Sequence, residues 1–384
     1  MPNMNQAAQI QGKKLAAMMT NTAMIQTYIY VLLVLIVVGI LMYITNRASA
    51  RSRNCKKLDK LYKDFPPLSS ISPVQDERYT QSLRNYYIKS AYNCCATGAY
   101  KNTWVDICAL KNVIKQGCRC LDFEIYSIKG EPAVAVSSKN DIDIKESYNS
   151  LDLPTVFSTI NKLAFSQATC PNARDPLLLN FRVKSNHKSI YDQIGTLLYK
   201  YLSTKILDPS YSYGDHSENF SKVKLNELME KVIIMVDAPK ANYEGTKLEE
   251  YVNLRGGATG DGIFLRELRN FDVEFTGDPT GLIEDNKYSM AISMPDLGAS
   301  CIAMPAVIHF RYGIQMIAMC FQTGSSQLNN YNEIFNQRGH AFILKPPSLC
   351  GQSIIVEPKT PNPDVVAMNT KKEPWLASRP DLAF

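Results

Sequence analysis

The chain has 384 residues, 45% of them apolar and 20% charged, a globular composition that excludes wholesale disorder, collagen and coiled coil. The net charge of +6 is unevenly placed: residues 1–64 hold nine bases against two acids, and residues 65–384 hold 33 bases against 34 acids. A nearly neutral body lacks the broad basic surface of a nucleic-acid binder, so no nucleic-acid partner is expected.

The basic excess borders an apolar run. No charged residue separates Lys14 from Arg47, and Tyr28 to Ile44 is continuously apolar or aromatic. With Met24 and Ile25 the run spans about 30 Å as a helix, the thickness of a bilayer core. Tyr28, Tyr30 and Tyr43 lie near its ends, where interfacial aromatics belong. A signal peptide would be followed by small residues rather than arginines, and a core helix would show a polar face. Residues 24–45 therefore read as a transmembrane helix. Seven bases follow it and two precede it. The positive-inside rule makes this a single-pass membrane protein with residues 1–23 non-cytosolic and a cytosolic C-terminal body. Residues 46–84 read as a basic juxtamembrane linker. Its Arg47, Arg51, Arg53, Lys56 and Lys57 are candidates for contact with anionic phospholipid head groups, or serve only as a topology signal.

Ten cysteines are scattered without a CxxC pair, and His187, His216, His309 and His340 have no zinc-like spacing. Buried, reduced thiols are expected in a cytosolic body, where the sequon at Asn219 would be silent.

Beyond the linker, strands are expected at 86–90, 120–126, 133–136, 177–181, 232–236, 251–254, 288–293 and 315–321. Amphipathic helices are expected at 105–116, 153–165 and 189–202. Eight strands alternating with helices fit a (β/α)8 TIM barrel in the α/β class. A doubly wound sheet is the alternative, but no Gly-rich phosphate loop follows the first strand. Residues 351–384 form a Pro-rich C-terminal tail.

Three stretches resemble the catalytic core of eukaryotic-type phosphoinositide-specific phospholipase C. Ile88-Lys-Ser-Ala-Tyr-Asn93 is similar to the family's I-S-S-S-H-N. Gly117-Cys-Arg-Cys-Leu-Asp-Phe-Glu124, with Gly130-Glu-Pro132, is similar to G-C-R-C-x-E-x-D followed by E-P. Gly313 to Thr323 and Asn336 to Pro346 are similar to C-Q-M-V-A-L-N-F-Q-T and N-G-x-x-G-Y-x-L-K-P. Weaker echoes lie at Asp175–Phe181 and Leu248–Asn253. The resemblance covers 85–350 and implies a TIM barrel in two halves, X-like 85–237 and Y-like 247–350, joined by a short linker.

The resemblance also implies a catalytic pair of histidines, a calcium ion on Asn, Glu and Asp ligands, and bases for the inositol phosphates. This sequence departs from that set. The histidine positions hold Tyr92 and Val136, which cannot cycle protons near neutrality. Of the calcium positions, Asn93 is retained, Glu-x-Asp becomes Asp122-x-Glu124, and the last glutamate is Arg182. A guanidinium there would repel the ion and pair with the acids. Met235 and Asp237 stand near the phosphate-binding lysines, and the family's arginine before T-D-S-S-N aligns near Gly298.

Without its proton carriers such a site would lose about 10⁴-fold in rate. The expectation is a membrane-anchored pseudoenzyme with no catalytic residues, no metal and no cofactor. It would act as a structural or interaction module toward the bilayer, anionic phospholipids, or other membrane or virion proteins. The alternatives are a lipid-binding module without chemistry, and a divergent, calcium-dependent phosphodiesterase acting on phosphoinositides or glycerophosphodiesters.

Overall fold

The computed structural model describes residues 4–19, 22–213, 219–237, 242–257 and 264–351. The Pro-rich tail beyond residue 351 and residues 238–241 of the linker between the halves lie outside the described residues. Helix α1 (Met4–Met19) precedes α2 (Thr22–Leu61), which carries the apolar run. α2 is the one helix among the described residues long and apolar enough to cross a membrane.

The body begins with β1 (Tyr86–Ala91), α3 (Ile107–Lys115), β2 (Cys120–Ile128), β3 (Glu131–Ala135), β4 (Leu151–Asp152), α4 (Leu153–Leu163), β5 (Leu177–Lys184), α5 (Lys188–Leu202) and β6 (Val232–Asp237). It continues with β7 (Val252–Gly257), β8 (Leu265–Arg269), α6 (Asn270–Glu274), α7 (Pro279–Tyr288), β9 (Met290–Met294), α8 (Ala306–Arg311), β10 (Met316–Met319), α9 (Ser326–Arg338) and β11 (Phe342–Leu344).

Eight parallel strands run around the wall in the order β1, β2, β5, β6, β7, β8, β9, β10, and the β1–β2 and β1–β10 pairings close it. This is the expected TIM barrel. Its membership differs from the sequence expectation. β3 pairs antiparallel to β2 as a hairpin outside the wall, and β8 is a wall strand that was not foreseen.

Alternation sorts the side chains. Phe123 and Phe181 face the helix layer with ring centroids 6.4 Å apart, and Phe181 meets Phe157 of α4 at 5.8 Å. Their neighbours Asp122, Glu124, Asn180 and Arg182 therefore share the interior face.

The juxtamembrane segment is not a linker over its first half. α2 continues unbroken to Leu61 and lies along α3, in the same direction. Arg47 donates to the Asn102 carbonyl, and the Trp104 indole donates to the Arg47 carbonyl at 3.1 Å. One helical turn on, Arg51 Nε reaches Asp106 Oδ2 at 2.5 Å, and Asp59 accepts from Asn112 at 2.7 Å. Leu58 and Tyr62 are buried against the barrel. Residues 65–85 then wrap the lower end, where Asp175 accepts from the Ile71 amide at 2.8 Å.

This docking corrects the expectation of fully reduced thiols. It brings the Cα atoms of Cys55 and Cys108 to 5.7 Å, within disulfide reach, and the two are bonded. Cys301 and Cys320 form a second bridge between the loops after β9 and β10. The other six cysteines are free. The sequon asparagine, Asn219, is buried and its amide donates to the Tyr288 carbonyl at 2.6 Å.

Candidate active site

The C-terminal ends of the wall strands hold a buried polar cluster. β2 and β5 run in register with Asp122 beside Asn180 and Glu124 beside Arg182. Arg182 Nε and Nη2 donate to the two oxygens of Asp122 at 2.8 and 2.7 Å, a bidentate pair. Its Nη1 donates to Glu124 at 2.7 Å and its Nη2 also to Asn93 Oδ1 at 3.0 Å. One guanidinium thus spans all three remnant ligand positions.

The remaining lone pairs are taken up locally. Asp122 also accepts from Asn180 Nδ2 and from the Asn93 amide, at 2.9 and 3.0 Å. Asn93 has a φ of +44°, a conformation that asparagine tolerates better than most residues and that turns its amide toward Asp122. The second oxygen of Glu124 accepts from Tyr126 and from the Ser137 amide, at 2.9 and 3.0 Å. Arg182, Asp122, Glu124 and Tyr92 are each no more than 3% exposed. Burial works against the charges of Asp122 and Arg182, but their mutual attraction overcomes it. The Asp122 carboxyl is held below the usual range and Arg182 is raised.

Tyr92 roofs the cluster. Its ring lies 4.6 Å from the Arg182 guanidinium, a cation–π contact, and packs edge-on to Tyr100 at 5.6 Å. Burial raises its hydroxyl pKa, so the phenol stays protonated. Val136, at the other histidine position, is buried with its amide on the Ser147 hydroxyl at 3.3 Å. A calcium ion needs the oxygens of Asn93, Asp122 and Glu124 directed at a common point free of positive charge. Here those oxygens are directed at a guanidinium, so the residues present do not fit the ion.

The sequence reading missed three neighbours: Lys184, Glu267 and Arg269. Arg269 donates to the Tyr92 hydroxyl at 3.3 Å. Asp237 pairs in register with Arg182, and Gly256 lies between Asp237 and β8. A Cβ on Gly256 would stand 2.6 Å from Glu267 Oε1, so the glycine makes room for that carboxylate. Burial and the Asp237 charge push Glu267 up to about 8. Burial likewise raises Asp237, against the pull of Lys184, Arg182 and Arg269. Met235 is buried in the core, leaving Lys184 and Arg269 as bases the sequence comparison did not foresee.

A raised carboxyl stabilises the fold fully below its unfolded pKa, and that contribution is lost as pH rises toward the folded value. Glu267→Gln should therefore leave the melting temperature unchanged at pH 4.5 and raise it by a few degrees at pH 8.5. Thermal scans at the two pH values check this.

The five basic residues of the flank are not equivalent. Arg51 is paired with Asp106, Arg53 folds back onto Asn46, and the Arg47 guanidinium lies 5.2 and 5.5 Å from the Tyr43 and Tyr148 rings. Lys56 and Lys57 are exposed.

Residues 79–237 match the X domain of phosphatidylinositol-specific phospholipase C. Among solved structures, PLC21 of S. officinalis superposes with a TM-score of 0.54 at 15% identity, and PLC21 of L. pealei with 0.55 at 16%. Each match covers 71% of this chain and only 38% of the other. No curated protein sequence matches the chain. With its X-domain match and its closed barrel, the chain carries a phospholipase C-like catalytic core.

Proposed function

We propose that this protein is a membrane-anchored, catalytically silent phospholipase C-like module, and that its barrel serves for interaction rather than lipid hydrolysis. The observation that carries this reading is the Arg182 guanidinium among Asn93, Asp122 and Glu124, beneath Tyr92. The cluster leaves no proton carrier at either histidine position, and its burial keeps a phosphodiester from the acids.

The direction of α2 supports a specific pose. α3 runs from the C-terminal end of β1 back to the start of β2, and α2 runs alongside it. The membrane-proximal part of α2 therefore leaves from the mouth end of the barrel. Only about 5 Å of helix separates Ile44, the end of the apolar run, from Arg47, the first residue docked on the barrel. The mouth-side loops expose Ile142, Ile144, Leu297 and Ile302, and α6 with its C-cap exposes Phe271 and Phe275. A bilayer holding α2 would meet this rim first. The basic flank favours a cytosolic body in that pose.

The full chain in nanodiscs containing phosphatidylinositol 4,5-bisphosphate and calcium should release inositol phosphate no faster than protein-free discs. Calcium-dependent release overturns the silent assignment. A photo-crosslinking residue at Ile302 should capture lipid, and one at Ser348 should not. The reverse pattern overturns the pose.

A further inference from the structure

A second concavity lies at the opposite end of the molecule from the polar cluster. α8 and α9 both run away from the mouth, and their last residues, Arg311 and Arg338, line one cavity of about 740 Å³. This volume is in the range of small-molecule sites. Its floor is aromatic. Phe310 packs on Tyr87 with centroids 4.6 Å apart, and Phe342 contributes from β11. Val307 stands exposed at the rim.

The charges of this cavity are one-sided. Arg78, Arg311, Arg338, His340 and Lys345 line it and no acidic residue does. Lys345 is buried, its ammonium donating to the Asn286 and Gly313 carbonyls. Arg78 is already paired with Asp76. His340 uses Nδ1 on the Ser69 carbonyl at 3.0 Å. Arg311 and Arg338 have no ion-pair partner among the described residues, and both are exposed. Two uncommitted guanidinium groups beside an apolar floor complement a molecule with one anionic end and one hydrocarbon or aromatic end. Guanidinium is suited to phosphate or carboxylate through paired donors.

We propose that this membrane-distal cavity binds a small amphipathic anion, with its head group between Arg311 and Arg338 and its apolar part on Phe310 and Phe342. The site is separate from the polar cluster, and its existence does not depend on whether the cluster is catalytically silent.

The test uses the full chain in phosphatidylcholine nanodiscs, titrated with octyl phosphate by calorimetry against empty discs. Saturable binding of one molecule per chain is expected. Inorganic phosphate, which lacks the chain, and octanol, which lacks the charge, should each bind at least tenfold more weakly. The Arg311→Gln/Arg338→Gln double variant changes two exposed residues and should keep its melting temperature while losing tenfold or more in affinity. Val307→Trp, which narrows the cavity without touching its charge, should also weaken binding. Unchanged affinity in the double variant, octanol binding as tight as octyl phosphate, or no saturable binding above that of empty discs each overturns the proposal.

Discussion

Replacing Arg182 by methionine should destabilise the barrel by about 3–5 kcal/mol, the usual cost of leaving a buried charge uncompensated. Asp122 and Glu124 are fully buried, and among the described residues this guanidinium is the one cation ion-paired with them. Without it, one or both must take up a proton or draw in water. The triple variant Asp122→Asn/Glu124→Gln/Arg182→Met should recover most of the loss, because a neutral cluster carries no desolvated charge. Arg182→Lys should fall between them, since an ammonium cannot make the bidentate pair and reach Glu124 as well. Urea unfolding of the four proteins measures these differences. If Arg182→Met unfolds like the wild type, the bridge is not what holds the cluster together. Acid acts in the same direction. The depressed Asp122 pKa gives stability that is present above the unfolded value and lost as pH falls through the folded one.

Breaking the Cys55–Cys108 bridge is expected to have a comparable effect by a different route. The bridge closes a loop of 53 residues. Chain-entropy arguments assign about 4 kcal/mol to a loop of that size. Cys55→Ser/Cys108→Ser should lower the melting temperature, and it should expose residues 46–64 to protease as α2 loosens from α3. A variant that melts with the wild type and stays uncut would show that Leu58, Tyr62 and the Asp59–Asn112 bond dock α2 by themselves. The same pair reports the compartment. A cytosolic body would be kept reduced by the surrounding thiol pool, whereas an intact bridge in protein trapped directly from cells points to an oxidising side or a dedicated oxidant.

The barrel was legible in the sequence because most of its wall strands are short, apolar and buried, and alternate with amphipathic helices. The expected count of eight was right through two offsetting differences. The run at 133–136 is apolar but belongs to the hairpin strand β3. β8, Leu265-Arg-Glu-Leu-Arg269, is mostly charged and shows no apolar alternation, because Glu267 and Arg269 face the barrel interior while Arg266 on the other face pairs with Asp285 of α7. The pairing of Arg182 with the acids was also legible. Residues two apart on one strand share a face, and an arginine on the adjacent strand is their nearest counter-charge. Glu267, Arg269 and Lys184 were not legible as neighbours. The Arg269–Tyr92 contact spans 177 residues and exists only because the wall closes on itself. The extension of α2 was hidden too. After Arg47 it offers α3 few apolar side chains, Leu58 chief among them, and polar bonds and the disulfide supply the rest.

The unbroken α2 has a mechanical consequence. Its 40 residues make a rod of about 60 Å, and in the proposed pose a bilayer core would take up about half of it. The other half is bolted to the barrel, with no hinge between them. A change in the tilt of the span becomes an equal change in the tilt of the barrel. Membrane thickness, which sets how far such a helix leans, then sets which side of the mouth rim touches the lipid. The same protein would present different faces in a thin membrane and in a thick one, with no ligand bound and no bond rearranged.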